Sequence, residues 1–300
     1  MKKQTVLVLG VTGMLGHTLF LHLSRNQALR VYGTFRDQDL TSRFTPETRS
    51  NLFDKVEATD FSRLEQIISD LRPDQIINCM GIIKQIQNAR SELELFTVNT
   101  LLPHRLAYWS RPTHTRVIHI STDCVFDGRQ GNYGETDPPS PVDLYGVSKY
   151  LGELEYPHCL TLRTSIIGHE LRGNYGLLEW FLAQTGTVNG YTQAIYSGLP
   201  TIELAEVIER YVIPNLVLHG IFHVAAEPIT KYELLRLIKD AYGSSALIIP
   251  SDCPVINRSL DSTRFRRLTG YQPPAWPILV EKMYRDYQTA GYLSKSPVKE

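Results

Sequence analysis

The sequence predicts an α/β fold, a doubly wound parallel sheet with a smaller C-terminal α/β lobe, on three observations. Short apolar runs of strand length alternate with amphipathic helical stretches through the first half of the chain. Several of these runs, such as Val117-Ile118-His119-Ile120, are nearly continuous rather than alternating, as in strands covered by helices on both faces. The first run ends in a glycine-rich turn that opens a helix, the start of a right-handed βαβ unit.

Taken in order, strands are expected at Thr5–Leu9, Arg30–Thr34, Lys55–Ala58, Gln75–Cys79, Arg116–Ile120 and Cys159–Arg163. The helices between them are expected at Met14–Ser24, Ser62–Leu71, Glu92–Trp109 and Leu144–Leu154. After Ser165 the pattern loosens. Helical stretches at Leu177–Gln184, Ile202–Val217, Lys231–Ala241 and Ile278–Tyr287 are separated by short strands such as Gly220–Val224 and Ala246–Ile249. Residues 1–165 are therefore expected to form the sheet domain, with later returns of the chain allowed, and residues 166–300 mainly a smaller substrate-binding lobe. The loop Asp127–Val142, rich in Gly, Pro, Asp and Asn, is expected to border the site.

Bulk properties narrow the function. Lys+Arg 31 balances Asp+Glu 31, so net charge makes no case for nucleic acid or an anionic membrane as partner. Cys79, Cys124, Cys159 and Cys253 form no C-x-x-C pair and no zinc spacing. His169-Glu170 lacks a third ligand, so no metal is expected. Unpaired thiols fit a reducing, cytoplasmic compartment. No signal peptide is evident, and no apolar stretch approaches the ~20 residues that span a membrane.

Gly10-Val11-Thr12-Gly13-Met14-Leu15-Gly16 has the spacing G-x-x-G-x-x-G. Glycines let a backbone approach a pyrophosphate, and the helix N-terminus offers free N–H groups and a positive dipole end. A Rossmann-type dinucleotide site using Gly10, Thr12, Gly13, Met14, Leu15 and Gly16 is expected. Arg36, near the end of the second strand, suits a 2′-phosphate, which favours NADPH over NADH; Asp37 and Asp39 compete as partners for a 2′-hydroxyl. Asp60-Phe61 either meets the adenine or, through Asp60, caps the following helix. Asn78, Met80 and Gly81 form a small turn expected beside the nicotinamide ribose, and Asn99 is expected to bond backbone near the site.

Ser121-Thr122 ends the fifth apolar run, and Tyr145 and Lys149 are four apart on one face of a helix. Such a pair by itself is an ordinary feature of helix surfaces. Joined to the glycine turn, it is the equipment of carbonyl reduction, in which the oxygen gains negative charge and needs a donor and a proton. Thr122 is expected to bond the substrate oxygen and Tyr145 to donate the proton. Lys149 is expected to lower the phenol pKa and hold the ribose hydroxyls. Thr122 is preferred to Ser121 because neighbouring strand residues point to opposite faces.

With these residues the chain resembles an extended short-chain dehydrogenase/reductase and, more narrowly, is similar to the dTDP-4-dehydrorhamnose reductase family over nearly its full length. The resemblance is carried by Gly10-x-x-Gly13-x-x-Gly16, Ser121-Thr122-Asp123-x-Val125-Phe126-Asp127-Gly128 and Gly131-x-Tyr133-x-Glu135. It continues in Pro141-x-x-x-Tyr145-Gly146-x-Ser148-Lys149, Gly152-Glu153, Arg163-Thr164-Ser165, Gly198-x-Pro200-Thr201 and Arg258-Ser259-Leu260-Asp261. It implies a Thr122, Tyr145, Lys149 triad, NADPH (or NADH), and reduction of the 4-keto group of a nucleotide-linked 6-deoxyhexose. Relatives of this kind also form homodimers. Two positions depart from the family: Cys124 stands where Tyr is usual and Ile166 where Trp is usual. Both lie toward the sugar in the family, and neither offers an aromatic stacking face. A UDP-linked N-acetylated deoxyhexosulose is an alternative substrate on that account.

The nucleotide half of the substrate is expected between the lobes. Trp180 either lines that site or packs in its helix core; Gly198 belongs to a turn whose Thr201 is placed to cap Ile202–Val217. Arg258 either pairs with a diphosphate or with an acid such as Asp261. Asp123 occupies the position where a dehydratase carries an acid, so an epimerase or dehydratase on this scaffold stays open. A non-catalytic cofactor-binding subunit is the third reading, against which the intact triad stands.

Overall fold

The computed structural model describes residues 3–36, 40, 44–83 and 91–289. Six strands, β1 (Gln4–Leu9), β2 (Leu29–Thr34), β3 (Leu52–Phe53), β4 (Gln75–Asn78), β5 (Arg116–Thr122) and β6 (Cys159–Thr164), share one sheet with the later strand Gly220–His223. Its order is Gly220–His223, β6, β5, β4, β1, β2, β3, and every pairing is parallel. The chain winds outward from β1 in one direction and then from β4 in the other. The crevice at the carboxyl ends of β1 and β4 is thus the topological switch point, where ligands bind in open α/β sheets.

The apolar run of β1 shows why the sheet is covered twice. Val6 and Val8 pack on one face with Leu19 and Phe20 of the helix Met14–Ser24. Leu7 and Leu9 pack on the other with Leu64 and Ile68 of Phe61–Leu71 and Leu102 and Leu106 of Leu102–Ser110. Alternate side chains of one strand feed two cores, so no polar alternation is left to see. On the first face, Thr201–Val207 lies against Met14–Ser24, and Trp276–Thr289 against both Thr201–Val207 and Lys231–Tyr242.

Several elements differ from expectation. The third strand is Leu52–Phe53, not Lys55–Ala58; Lys55 has φ 53, a left-handed backbone that no strand accepts. The helix expected over Glu92–Trp109 is broken by a wide π-turn at Thr97–Leu101, just ahead of Pro103. The helix carrying Tyr145 stops at Leu151. Thr201 does not cap its helix: Pro200 is the cap residue, and Thr201 is buried, accepting from the Thr18 hydroxyl at 3.3 Å. Strand Thr187–Tyr191, paired with Leu247–Ser251, and helix Thr263–Thr269 were not expected. Among the described residues, no helix is long and apolar enough to cross a membrane.

Candidate active site

The glycine turn lies at the switch point. Gly10 has φ 82, and a Cβ on it would meet Met80 at the end of β4. A Cβ on Gly16 would stand 2.0 Å from the Gly10 carbonyl oxygen, so only glycine lets the helix start this close under the turn. The cap residue Gly13 supplies no side chain to the helix N-terminus, and the first turn carries no acid. Unclaimed N–H donors and a positive dipole end there fit a diphosphate. Thr12 is half-buried in the turn, Met14 reaches Gly176, and Leu15 is core.

The other expected cofactor residues divide. Arg36 is exposed just past β2, with Nε 3.9 Å from Glu57 Oε1; Asp37 and Asp39 lie outside the described residues. Asp60 is the helix cap, its Oδ1 accepting from the Arg63 amide at 3.0 Å. Phe61 packs with its neighbours: Arg105 sits over its ring at 4.8 Å, and Trp109 packs edge-on. Asn78 does not reach toward a ribose. It is fully buried, its Oδ1 accepting from the Met80 amide and its Nδ2 meeting His119 Nδ1, each at 3.1 Å. Gly81 is exposed beside Asn99. Asn99 clamps the main chain of Ile82 through both amide atoms and donates to Ser148 Oγ at 3.0 Å.

Thr122 closes β5, and its hydroxyl donates to Asp123 Oδ1 and accepts from the Cys124 amide, both at 3.2 Å. Ser121 points the other way, donating to Glu153 Oε1 at 2.7 Å, as the strand period requires. Tyr145 opens the helix Leu144–Leu151, capped by Asp143 Oδ1 accepting the Gly146 amide at 2.8 Å. A Cβ on Gly146 would lie 2.3 Å from the Cys124 carbonyl oxygen. That glycine lets the helix touch the turn after β5 and brings Tyr145 to Thr122. One helical turn on, Lys149 is buried, and its Nζ donates to the Ile120 carbonyl at 2.7 Å.

Burial raises the Tyr145 phenol, Cys124 and Asp123 add to the rise, and hydrogen bonding with Thr122 only partly offsets it. Lys149 itself is pushed down to about 8 by burial, against the opposing pull of Glu153. Burial also raises Asp123, and it pushes the Cys124 thiol up to about 12.

Of the residues expected toward substrate, Cys124 and Asp123 are half-buried and face Arg258, whose Nη1 is 3.9 Å from Cys124 Sγ and whose Nε donates to the Phe126 carbonyl at 2.9 Å. Arg258 is therefore held toward the catalytic turn. Ile166 pairs with Leu199 beside buried Gly198. Trp180 is 38% exposed, not in the helix core. Two residues were missed. Lys231 is half-buried and interacts with Asp123 and Cys124; a cation in the first turn of a helix opposes the macrodipole, and that was its legible signal. His119 lies beneath Lys149, and its signal was an imidazole inside an apolar central strand.

A family model described as the RmlD substrate binding domain matches residues 4–289. The chain belongs to that family. Within it, the chain is 28% identical over 255 residues to the dTDP-4-dehydrorhamnose reductase of Aggregatibacter actinomycetemcomitans, covering 74% of this chain and 87% of that protein. It is 27% identical over 323 residues to methionine adenosyltransferase 2 subunit beta of Bos taurus, covering 93% and 90%. The crystal structure of a dTDP-4-dehydrorhamnose reductase from Bacillus anthracis in complex with NADP matches with TM-score 0.77 at 22% identity, over 95% of this chain and 99% of that one. The RmlD-family chain thus shares this fold with a cofactor-bound protein.

Proposed function

We propose that the protein reduces the 4-keto group of a nucleotide-linked 6-deoxyhexose. The observation that carries this reading is the convergence of Thr122, Tyr145 and Lys149 at the carboxyl end of β5, the same end of the parallel sheet as the glycine turn. NADPH, with NADH as the substitute, supplies the hydride when bound at that turn. Arg36 supports the choice of NADPH, and the NADP held by the Bacillus anthracis reductase agrees with it.

As the carbonyl oxygen gains charge, Thr122 donates a hydrogen bond to it and Tyr145 delivers its proton, turning the C=O into CH–OH. The raised phenol suits a donor that must stay loaded until the oxygen turns basic. Lys149, still mostly cationic at neutral pH, stabilises the phenolate left behind. Residues 166–300 mainly supply the nucleotide-sugar side, with Arg258 toward the diphosphate and Ile166, Gly198 and Trp180 around sugar and base, joined there by Asp123 and Cys124 of the sheet domain. A cytoplasmic homodimer is part of the same reading. Similarity to a methionine adenosyltransferase subunit favours one alternative, a cofactor-binding subunit without turnover.

The deciding assay mixes the protein with NADPH and a panel of dTDP- and UDP-linked 4-keto-6-deoxyhexoses. NADPH oxidation with some members names the sugar. Binding of NADPH without oxidation by any member overturns the reductase reading in favour of the subunit.

A further inference from the structure

Lys149 is enclosed from several elements. Cys79 acts on it from the end of β4, His119 lies against it from β5, and Glu153 acts on it from just beyond its own helix, on which Tyr145 stands one turn earlier. Its Nζ lies 3.4 Å from His119 Nε2 while donating to the Ile120 carbonyl. The imidazole tautomer follows from hydrogen-bond accounting. Asn78 Oδ1 accepts the Met80 amide, so the Asn78 NH2 group is what meets His119 Nδ1. Nδ1 must then be the lone pair, and the neutral ring carries its proton on Nε2, aimed at Lys149. Burial, with the Lys149 and His104 charges, holds the ring neutral. An ammonium has donors and no acceptor, so it meets Nε2–H donor to donor; a neutral amine offers its lone pair.

We propose that His119 is a positioning residue for Lys149: its Nε2–H, oriented through Asn78 by the Met80 amide, seats the amine against the Ile120 carbonyl and opposes its ammonium form. Met80 also abuts Gly10 of the cofactor turn, so the main chain of that turn is linked to the Lys149 amine through Asn78 and His119. Only the consequence for turnover rests on the proposed reductase reading; the contact belongs to the protein alone.

The test uses the full chain without cofactor or substrate. In long-range proton–nitrogen spectra of histidine-labelled protein, the His119 signals, assigned by their loss in His119→Gln, should show the Nε2–H tautomer. In lysine-labelled protein, the signal lost in Lys149→Arg should titrate near pH 8. His119→Phe, which keeps a ring but no N–H, should move that midpoint up by at least about one pH unit. His119→Gln, which keeps a donor, should leave it close to the parent value. An Nδ1–H tautomer, read on the unsubstituted protein, overturns the proposal. So does an unchanged Lys149 midpoint in folded His119→Phe. Failure of the reductase reading would alter neither spectrum.

Discussion

Burial raises the Tyr145 phenol and lowers the Lys149 ammonium, so the two arrive at neutral pH as a loaded acid and a weakly held cation. Removing the phenol oxygen should therefore remove the proton and little else. Tyr145→Phe is expected to cut turnover by about 100-fold or more while leaving NADPH affinity nearly unchanged; unaltered turnover, measured by NADPH absorbance, would remove Tyr145 as donor. At this scale the sequence was readable where chemistry imposes a spacing. Tyr145 and Lys149 must share a helix face, and Thr122 must end a strand. It was unreadable where a role depends on tertiary neighbours. Asn78 and Phe61 sit at the expected places, but their side chains are engaged by His119, Arg105 and Trp109, residues far along the chain.

At the scale of elements, the catalytic strand and helix are tied to β6 by buried charge. Arg163 grips both Glu153 oxygens at 2.7 and 2.8 Å, Ser121 donates to the same carboxylate, and Arg163 Nη1 meets His223 Nε2 at 3.3 Å. His223 also bonds the Tyr133 carbonyl through Nδ1 at 2.9 Å. Burial, and secondarily Arg163, pushes His223 down to about 4 from 6.5. Between those values the unfolded chain binds more protons than the folded one, so stability is complete above pH 6.5 and is lost as pH falls toward 4. The shift corresponds to about 3 kcal/mol. Urea unfolding of the parent should weaken across that window, and His223→Gln should lose less over the same interval; an equal loss in both would assign the acid sensitivity elsewhere. Element boundaries were the least legible feature. Lys55–Ala58 has the composition of a strand, but the left-handed Lys55 excludes it. Thr263–Thr269 hides its helix among Arg264, Arg266 and Arg267, with only Phe265 buried.

For the whole molecule, strand–helix alternation was enough to specify a parallel, doubly wound sheet, because each strand needs a crossover and a cover on both faces. The return of Gly220–His223 to the β6 edge was not written in any local pattern; it follows from a pairing partner some 60 residues earlier in the chain. The same topology brings the glycine turn and the end of β5 to the carboxyl end of the sheet, where the proposed cofactor and catalytic residues lie together. In the proposed reaction, hydride passes at that end of the sheet to the 4-keto carbon of the sugar. NADPH deuterated at C4 of the nicotinamide, on one face and then on the other, tests it most directly with a nucleotide-linked 4-keto-6-deoxyhexose that the protein turns over. One deuterium is expected at C4 of the product sugar from one labelled face and none from the other. Product without deuterium from either face, or label at another carbon, would contradict it.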